Sequence, residues 1–154
     1  MHVYLIQHGQ AASREQDPDR PLTQEGRAET QKTARFLQPL GLAVDRLWHS
    51  GKTRARQTAE IYSEAFATPA GPSERQGLSP NDDVAPVRDE FAVATEDTVI
   101  VGHMPFLSRL ASLLLTGYEN TDVVRFRYAG VVSLDRTPDN RWQVAWIVTP
   151  DIIP

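Results

Sequence analysis

The chain has 154 residues, of which 40% are hydrophobic and 23% are charged, so its composition is that of a globular protein and not of a disordered chain. Its formal net charge of -4 argues against a general nucleic-acid binder, and the absence of cysteine excludes disulfide scaffolds, thiolate zinc sites and cysteine nucleophiles. We expect one domain over residues 1–154, without a signal peptide or membrane span, and therefore a cytoplasmic protein.

The first half of the chain predicts two strand–helix units. Val3–Ile6 is a continuous apolar run, which is typical of a strand covered on both faces of a sheet. Thr23 can cap a helix that runs to about Leu40 and stops at Gly41. Arg46–His49 indicates a weaker strand. Apolar or small residues then recur at helical spacing: Ala55, Ala59, Tyr62 and Phe66.

The second half continues the alternation and ends in strands. Residues 68–80 hold three prolines and two glycines and predict an irregular segment, after which Asp83 can cap a short helix. Thr98–Val101 is the clearest buried strand, and Pro105 can open a helix that ends at Gly117. Further strands are predicted over residues 124–128, 131–135 and 142–148. Strands alternating with helices indicate an α/β sandwich with a mixed sheet.

Two of the buried strands end in histidine. The first runs into Gln7, His8 and Gly9, and the later one runs into Gly102 and His103. In open α/β sheets, ligands bind beyond the carboxyl ends of the strands, and a glycine beside each histidine lets backbone or ligand come close. We therefore expect two histidines that are far apart in sequence to meet at one end of the sheet.

Arginines accompany these histidines. If Ser50 caps the second helix, Arg54 lies about one turn in, where free backbone N–H groups and the helix dipole favour an anion. Arg20 stands in a loop just before a helix start, where the alternative to a substrate contact is a salt bridge with Asp17 or Asp19. Arginine forks bind phosphate oxygens in pairs. Histidines with arginines, without thiols, suit phosphoryl transfer through a phosphorylated histidine.

These residues fall into motifs that resemble the histidine phosphatase superfamily, also called phosphoglycerate mutase-like, and most closely its short SixA-type phosphohistidine phosphatases. Each motif alone is weak, but four in order at compatible spacing are specific. The resemblance implies a three-layer α/β sandwich whose central sheet is mostly parallel with an antiparallel edge. The motifs are Gln7-His8-Gly9, Arg20-Pro21-Leu22-Thr23 with Gly26, Ser50 through Arg54-Ala55 with Gln57-Thr58, and Gly102-His103-Met104-Pro105.

The resemblance also implies roles for individual residues. His8 would be the nucleophile that takes the phosphoryl group, and Arg54 would clamp the phosphate. His103 would hydrogen-bond a phosphate oxygen and stabilise charge in the transition state. Gly9 and Arg20 occupy positions of phosphate or substrate contact. The family needs no metal and no cofactor for this chemistry.

Two departures from the family pattern bear on activity. The family carries arginine where this chain has Gln7, and a neutral amide makes weaker hydrogen bonds to phosphate than a guanidinium does. The glutamate that larger members place after the second helix is missing from residues 77–80, although Glu74 is close. Asp82 and Asp83 are the nearest later candidates for a general acid.

We therefore expect a metal-independent phosphatase that works through phospho-His8 on protein phosphohistidine and releases inorganic phosphate, with neither nucleic acid nor membrane as a partner. A small phosphomonoester is the alternative substrate. Because of Gln7, a weakened module that only binds phosphate or a phosphoprotein is a further alternative. A metal-dependent hydrolase using His8, His49 and His103 is disfavoured, since no metal-binding spacing is present.

Overall fold

A six-stranded sheet forms the middle layer of the computed structural model, which describes residues 1–154. The strands are β1 (His2–Gln7), β2 (Leu42–Ala43), β3 (Arg46–His49), β4 (Phe66–Ala67), β5 (Pro72–Glu74), β6 (Thr98–Gly102), β7 (Val131–Arg136) and β8 (Trp142–Val148). The sheet order is β5-β3-β6-β1-β7-β8, and β2 pairs with β4 separately. Strands β5, β3, β6 and β1 are parallel neighbours, whereas β7 runs antiparallel to both β1 and β8. The predicted mostly parallel sheet with an antiparallel edge is confirmed.

Four helices cover the two faces of the sheet. They are α1 (Gln24–Leu37), α2 (Thr53–Tyr62), α3 (Ala85–Val93) and α4 (Phe106–Thr116). Tyr4 and Ile6 of β1 face a core shared with α1 and α2, while Val3 and Leu5 face a core shared with α3 and α4. This explains why β1 is apolar at successive positions, since both of its faces are buried. None of the helices has the length and apolar content needed to span a bilayer.

The ends of α1 follow the predicted signals. The Thr23 hydroxyl accepts a hydrogen bond from the N–H of Gly26 at 3.0 Å, as a helix cap does. The α-helix ends at Leu37, and a 3₁₀ turn over Gln38–Leu40 carries the chain to Gly41. Gly41 has a φ of 61°, a left-handed conformation that glycine adopts at little cost.

Three expectations about secondary structure are wrong. Phe66 is buried, but it lies in β4 beside Leu42 and not in α2, because burial alone does not distinguish a helix from a strand. Residues within the expected irregular segment form β5, where Pro72 is tolerated at the sheet edge. Residues 124–128 form no strand, and only Val124 among them is buried.

Candidate active site

The two histidines at the strand ends lie side by side. Strands β1 and β6 pair in parallel with Gln7 opposite Gly102, and the N–H of His8 extends the ladder to the Gly102 carbonyl at 3.1 Å. His8 and His103 therefore follow neighbouring strands at the same edge of the sheet. Their ring centroids are 5.0 Å apart, the planes are inclined by 55°, and both residues are buried.

The His8 ring is held as a neutral imidazole with one defined nitrogen free to react. Its Nδ1 lies 2.6 Å from the Gly9 carbonyl oxygen, which can only accept, so we assign the proton to Nδ1. The lone pair is then on Nε2, which accepts a hydrogen bond from Nε of Arg54 at 3.3 Å. Burial is the largest cause that lowers the His8 pKa to about 4, and the charges of Arg54 and Arg20 act in the same direction.

Gly9 allows the loop after β1 to pack against both helices of one face. A Cβ atom at this position would lie 2.5 Å from the Thr30 hydroxyl oxygen and 3.0 Å from the Gly26 carbonyl oxygen, both on α1. The Gly9 N–H donates to the Thr58 hydroxyl of α2 at 3.0 Å. The Thr58 hydroxyl in turn donates to the Arg54 carbonyl at 2.8 Å. The backbone beside His8 is thus fixed relative to the helix that carries Arg54.

His103 is paired with a serine at the end of a third strand. Its Nε2 lies 2.6 Å from Oγ of Ser50, while its Nδ1 is buried without a partner. A buried N–H group without an acceptor is rarer than a buried acceptor atom without a donor. We therefore assign the His103 proton to Nε2, which faces Ser50, and leave Nδ1 unprotonated. Burial is the largest cause that lowers the pKa of His103 to about 3, followed by the charges of His8, Arg54 and Lys52.

The expectation that Ser50 caps α2 is wrong. Lys52 occupies the cap position and makes no side-chain cap hydrogen bond, while Ser50 Oγ accepts from the Lys52 N–H at 3.3 Å. The pairing of Ser50 with His103 was missed from sequence. The signal that could have found it is strand adjacency, since β3 and β6 are parallel neighbours with His49 opposite Val101.

Tyr128 is a second residue that sequence reasoning missed. Its ring centroid is 5.6 Å from that of His8, and it forms an isolated parallel bridge with Gln7. The Gln7 carbonyl accepts the Ala129 N–H at 2.9 Å. Gln7 lines a groove of about 450 Å³ together with Tyr128 and Arg125. The segment 124–128, which was expected to form a strand, instead places the ring of Tyr128 next to His8.

A polar cavity of about 460 Å³ opens beside Arg54. It is lined by four cationic residues and one carboxylate, together with neighbouring backbone: Arg14, Pro18, Asp19, Arg20, Gly51, Lys52, Thr53 and Arg54. None of these four cations forms an ion pair. Burial lowers the pKa of Arg54, and the charges of Arg20 and Arg14 lower it further. The cavity can therefore accept an anion.

The two predicted candidates for a general acid, Asp82 and Asp83, form hydrogen bonds with backbone groups close to them in sequence. The Asp82 carboxylate accepts the Ser79 N–H at 2.9 Å, and the Asp83 carboxylate accepts the Ala85 N–H at 2.9 Å. Asp83 was expected to cap α3, but Val84 occupies the cap position. Neither aspartate forms a hydrogen bond or ion pair with His8, Arg54 or His103, so a role as general acid stays a prediction. No group of three or more histidine, aspartate or glutamate side chains is arranged to hold a metal ion.

Comparison with known proteins places this arrangement in a class. Residues 3–77 match the model of the histidine phosphatase superfamily (branch 1). The chain belongs to the histidine phosphatase superfamily, which supports phosphatase activity on a phosphorylated substrate with phosphate as a product.

Two related proteins and one solved structure show how far the similarity extends. The chain is 36% identical over 141 residues to an uncharacterized protein of Picosynechococcus sp., with 87% of this chain and 84% of that protein covered. It is 27% identical over 152 residues to the phosphohistidine phosphatase SixA of Escherichia coli strain K12, with 94% of each covered. The structure of the protein histidine phosphatase SixA complexed with tungstate has a TM-score of 0.86 over 100% of both chains at 24% identity, so the fold is shared.

Proposed function

We propose that this protein hydrolyses protein phosphohistidine through a covalent phosphohistidine intermediate on Nε2 of His8. The observation that carries the proposal is the orientation of the His8 ring. Its Nδ1 is committed to the Gly9 carbonyl at 2.6 Å, so the lone pair of Nε2 points toward Arg54. A depressed pKa keeps this nitrogen unprotonated at neutral pH, as nucleophilic attack requires.

In the first step, Nε2 of His8 attacks phosphorus in line. The P–N bond of the substrate breaks as the new P–N bond forms, and the departing imidazole nitrogen takes a proton from water or from an acid such as Asp82 or Asp83. Arg54 and Nε2–H of His103 would donate to the equatorial oxygens, where charge is concentrated in the transition state. The Ser50 hydroxyl holds His103 at 2.6 Å until the substrate arrives.

In the second step, water attacks the phosphorus of phospho-His8. The P–N bond to His8 breaks, inorganic phosphate leaves, and the ring returns to its starting tautomer. Phosphohistidine as substrate makes the first step less dependent on an acid, because imidazole is a better leaving group than an alkoxide. This fits a site in which Asp82 and Asp83 make only local hydrogen bonds.

The identity of the substrate rests on two observations. The cavity beside Arg54 is polar and open, which suits a phosphorylated side chain presented by another protein. The relative that covers 94% of this chain is a phosphohistidine phosphatase, and a tetrahedral oxyanion, tungstate, is bound in the solved SixA complex. A small phosphomonoester is the second candidate, because the same cavity would admit one.

The test is a rapid-quench experiment with a phosphohistidine-containing protein labelled in its phosphoryl group. We expect the label to appear transiently on His8, to be located by mass spectrometry after an alkaline quench, and to be released as phosphate. His8→Ala should abolish turnover, while His2→Ala, a change at an exposed histidine at the other end of β1, should not alter it. Turnover without labelled His8 would refute the mechanism. Affinity for the substrate that survives in His8→Ala, with no turnover by the unmodified chain, would identify a binding module.

A further inference from the structure

We propose that the cavity beside Arg54 is a subsite for a second anionic group carried by the substrate, formed by Arg14 and Lys52 with Arg20. This inference rests on the proposed function, since it concerns the same substrate. Neither Arg14 nor Lys52 belongs to the set that holds the transferred phosphoryl group. Together with Arg20 and Arg54, however, they line one cavity of about 460 Å³.

The cations around the cavity are unpaired, whereas half of the arginines in the chain are paired with a carboxylate. Seven of the arginines form ion pairs: Arg46, Arg56, Arg75, Arg88, Arg109, Arg127 and Arg141. None of the cations around the cavity does, although the chain as a whole has a net charge of -4. Several unpaired cations around one cavity in an acidic protein indicate an anionic ligand.

The loop that carries Arg14 and Arg20 does not neutralise them. Its acidic residues include Asp17 and Asp19, yet no salt bridge forms within it. The Asp17 carboxylate accepts the Asp19 N–H at 3.0 Å, and Nε of Arg20 donates to the Ala12 carbonyl at 3.1 Å. The alternative interpretation of Arg20 as one half of a loop salt bridge is therefore wrong. Arg14 and Arg20 thus line the cavity, and no carboxylate of the loop forms an ion pair with either of them.

The backbone at the start of α2 also favours an anion in the cavity. The first N–H groups of a helix have no acceptor within the helix, and Lys52 at the cap position supplies none from its side chain. Gly51 and Thr53 line the cavity at this point. The positive end of the helix thus adds to the field of Lys52 and Arg14.

Arg14 and Lys52 line the cavity without a hydrogen bond or ion pair to His8 or His103, so they are available to a further anion. A cavity of this volume has room for a carboxylate or a second phosphate attached to the same molecule. On a phosphohistidine protein the group would be an acidic side chain near the phosphorylated histidine. On a small phosphomonoester it would be a second phosphate or a carboxylate.

The experiment compares substrates that differ only in the second anion. One pair is phenyl phosphate and 4-carboxyphenyl phosphate; the other is a phosphohistidine peptide with flanking aspartates and the same peptide with asparagines. We expect kcat/KM to favour the anionic member of a pair by about 5- to 10-fold, as two partly exposed ion pairs would give. The double variant Arg14→Gln with Lys52→Gln should reduce this preference to less than about twofold. A preference within the peptide pair would identify an acidic side chain of a protein as the anion. A preference within the ester pair would identify a group on a small phosphomonoester.

The matched control is the double variant Lys32→Gln with Arg35→Gln, which removes the same charges from exposed, unpaired positions on α1. It should keep the preference. Equal rates on both members of each pair, or a preference that survives in the Arg14 and Lys52 double variant, would overturn the subsite. Calorimetric binding of the same compounds to His8→Ala separates the two proposals. A binding preference without turnover by the unmodified protein would reject the proposed function and retain the subsite.

Discussion

Two groups of arginines in this protein are held in opposite ways. At the β3–β5 edge, Nη1 of Arg46 lies 3.0 Å from Oε1 of Glu90 and Nη2 of Arg75 lies 2.6 Å from Oε2 of Glu90. Both guanidinium groups also pack over the Trp48 ring, with centroid distances of 4.4 and 4.8 Å. Around the cavity beside Arg54, by contrast, the cations have no carboxylate partner. The same residue type is structural in one region and available to a ligand in the other.

The difference between the paired and the unpaired arginines has consequences for stability. Like charges held together repel, so the unpaired group lowers stability unless an anion is bound, whereas the two guanidinium groups around Trp48 share the carboxylate of Glu90 within the fold. Repulsion also reaches the histidines, because Arg20 and Arg54 help to lower the pKa of both His8 and His103. The clustering of unpaired cations around one cavity, more than residue identity, therefore distinguishes the candidate active site from the scaffold.

The strongest test of this comparison is one substitution in each group. We expect Arg54→Gln to lower kcat by about 10²- to 10³-fold, as loss of a donor to the transition state does, with little change in stability. Arg75→Gln should instead lower the free energy of unfolding by about 1 kcal/mol, because Glu90 loses one of its two partners, and should leave kcat unchanged. Steady-state kinetics and urea unfolding measure the two effects. The comparison fails if Arg75→Gln reduces kcat as much as Arg54→Gln does.

Much of this arrangement could be predicted from the sequence, because it depends on short-range patterns. The apolar runs that end in His8 and His103 predicted two buried strands, and the rule for strand ends predicted that the histidines would meet. The hydrogen bond between Ser50 and His103 could not be predicted from such patterns, because it depends on which strand lies beside β6. Tyr128 reaches His8 from an irregular segment that mimics strand alternation. Such contacts depend on tertiary packing, which local periodicity does not encode.

A second test uses pH to measure how strongly burial and the neighbouring cations lower the pKa values of the two histidines. The pKa values of His8 and His103 are lowered from the ordinary value near 6.5 to about 4 and about 3. As the pH falls from about 6.5 to about 4, His8 and His103 become protonated in the unfolded chain but stay largely neutral in the folded protein. The unfolded state therefore binds more protons, and the free energy of unfolding falls. Because one proton per pH unit corresponds to about 1.4 kcal/mol, we expect these two residues together to contribute a loss of about 5 kcal/mol over this interval.

Urea unfolding at several pH values, compared with the double variant His8→Asn and His103→Asn, isolates this contribution. The variant should show a shallower loss of stability with acidity. Saturating sulfate, whose charge is constant over this interval, should also flatten the curve for the unmodified protein, because a bound anion favours protonated histidines. Sodium chloride at equal ionic strength is the control. Identical slopes for protein and variant would mean that the fold does not lower the pKa values of the two histidines.

We expect the smallest effect from a substitution that places one more cation next to His8. Gln7→Arg restores the family arginine, and replacing a neutral hydrogen bond to phosphate with a charge-assisted one should raise kcat/KM by about fivefold. Gln7→Lys should give a smaller gain, because an ammonium cannot make the paired hydrogen bonds of a guanidinium. Gln31→Arg, the same change of charge on α1 outside both cavities, should have no effect. If Gln7→Arg lowers kcat/KM while Gln31→Arg does not, the groove shared with Tyr128 is unsuited to a cation, and Gln7 is an adapted part of this site.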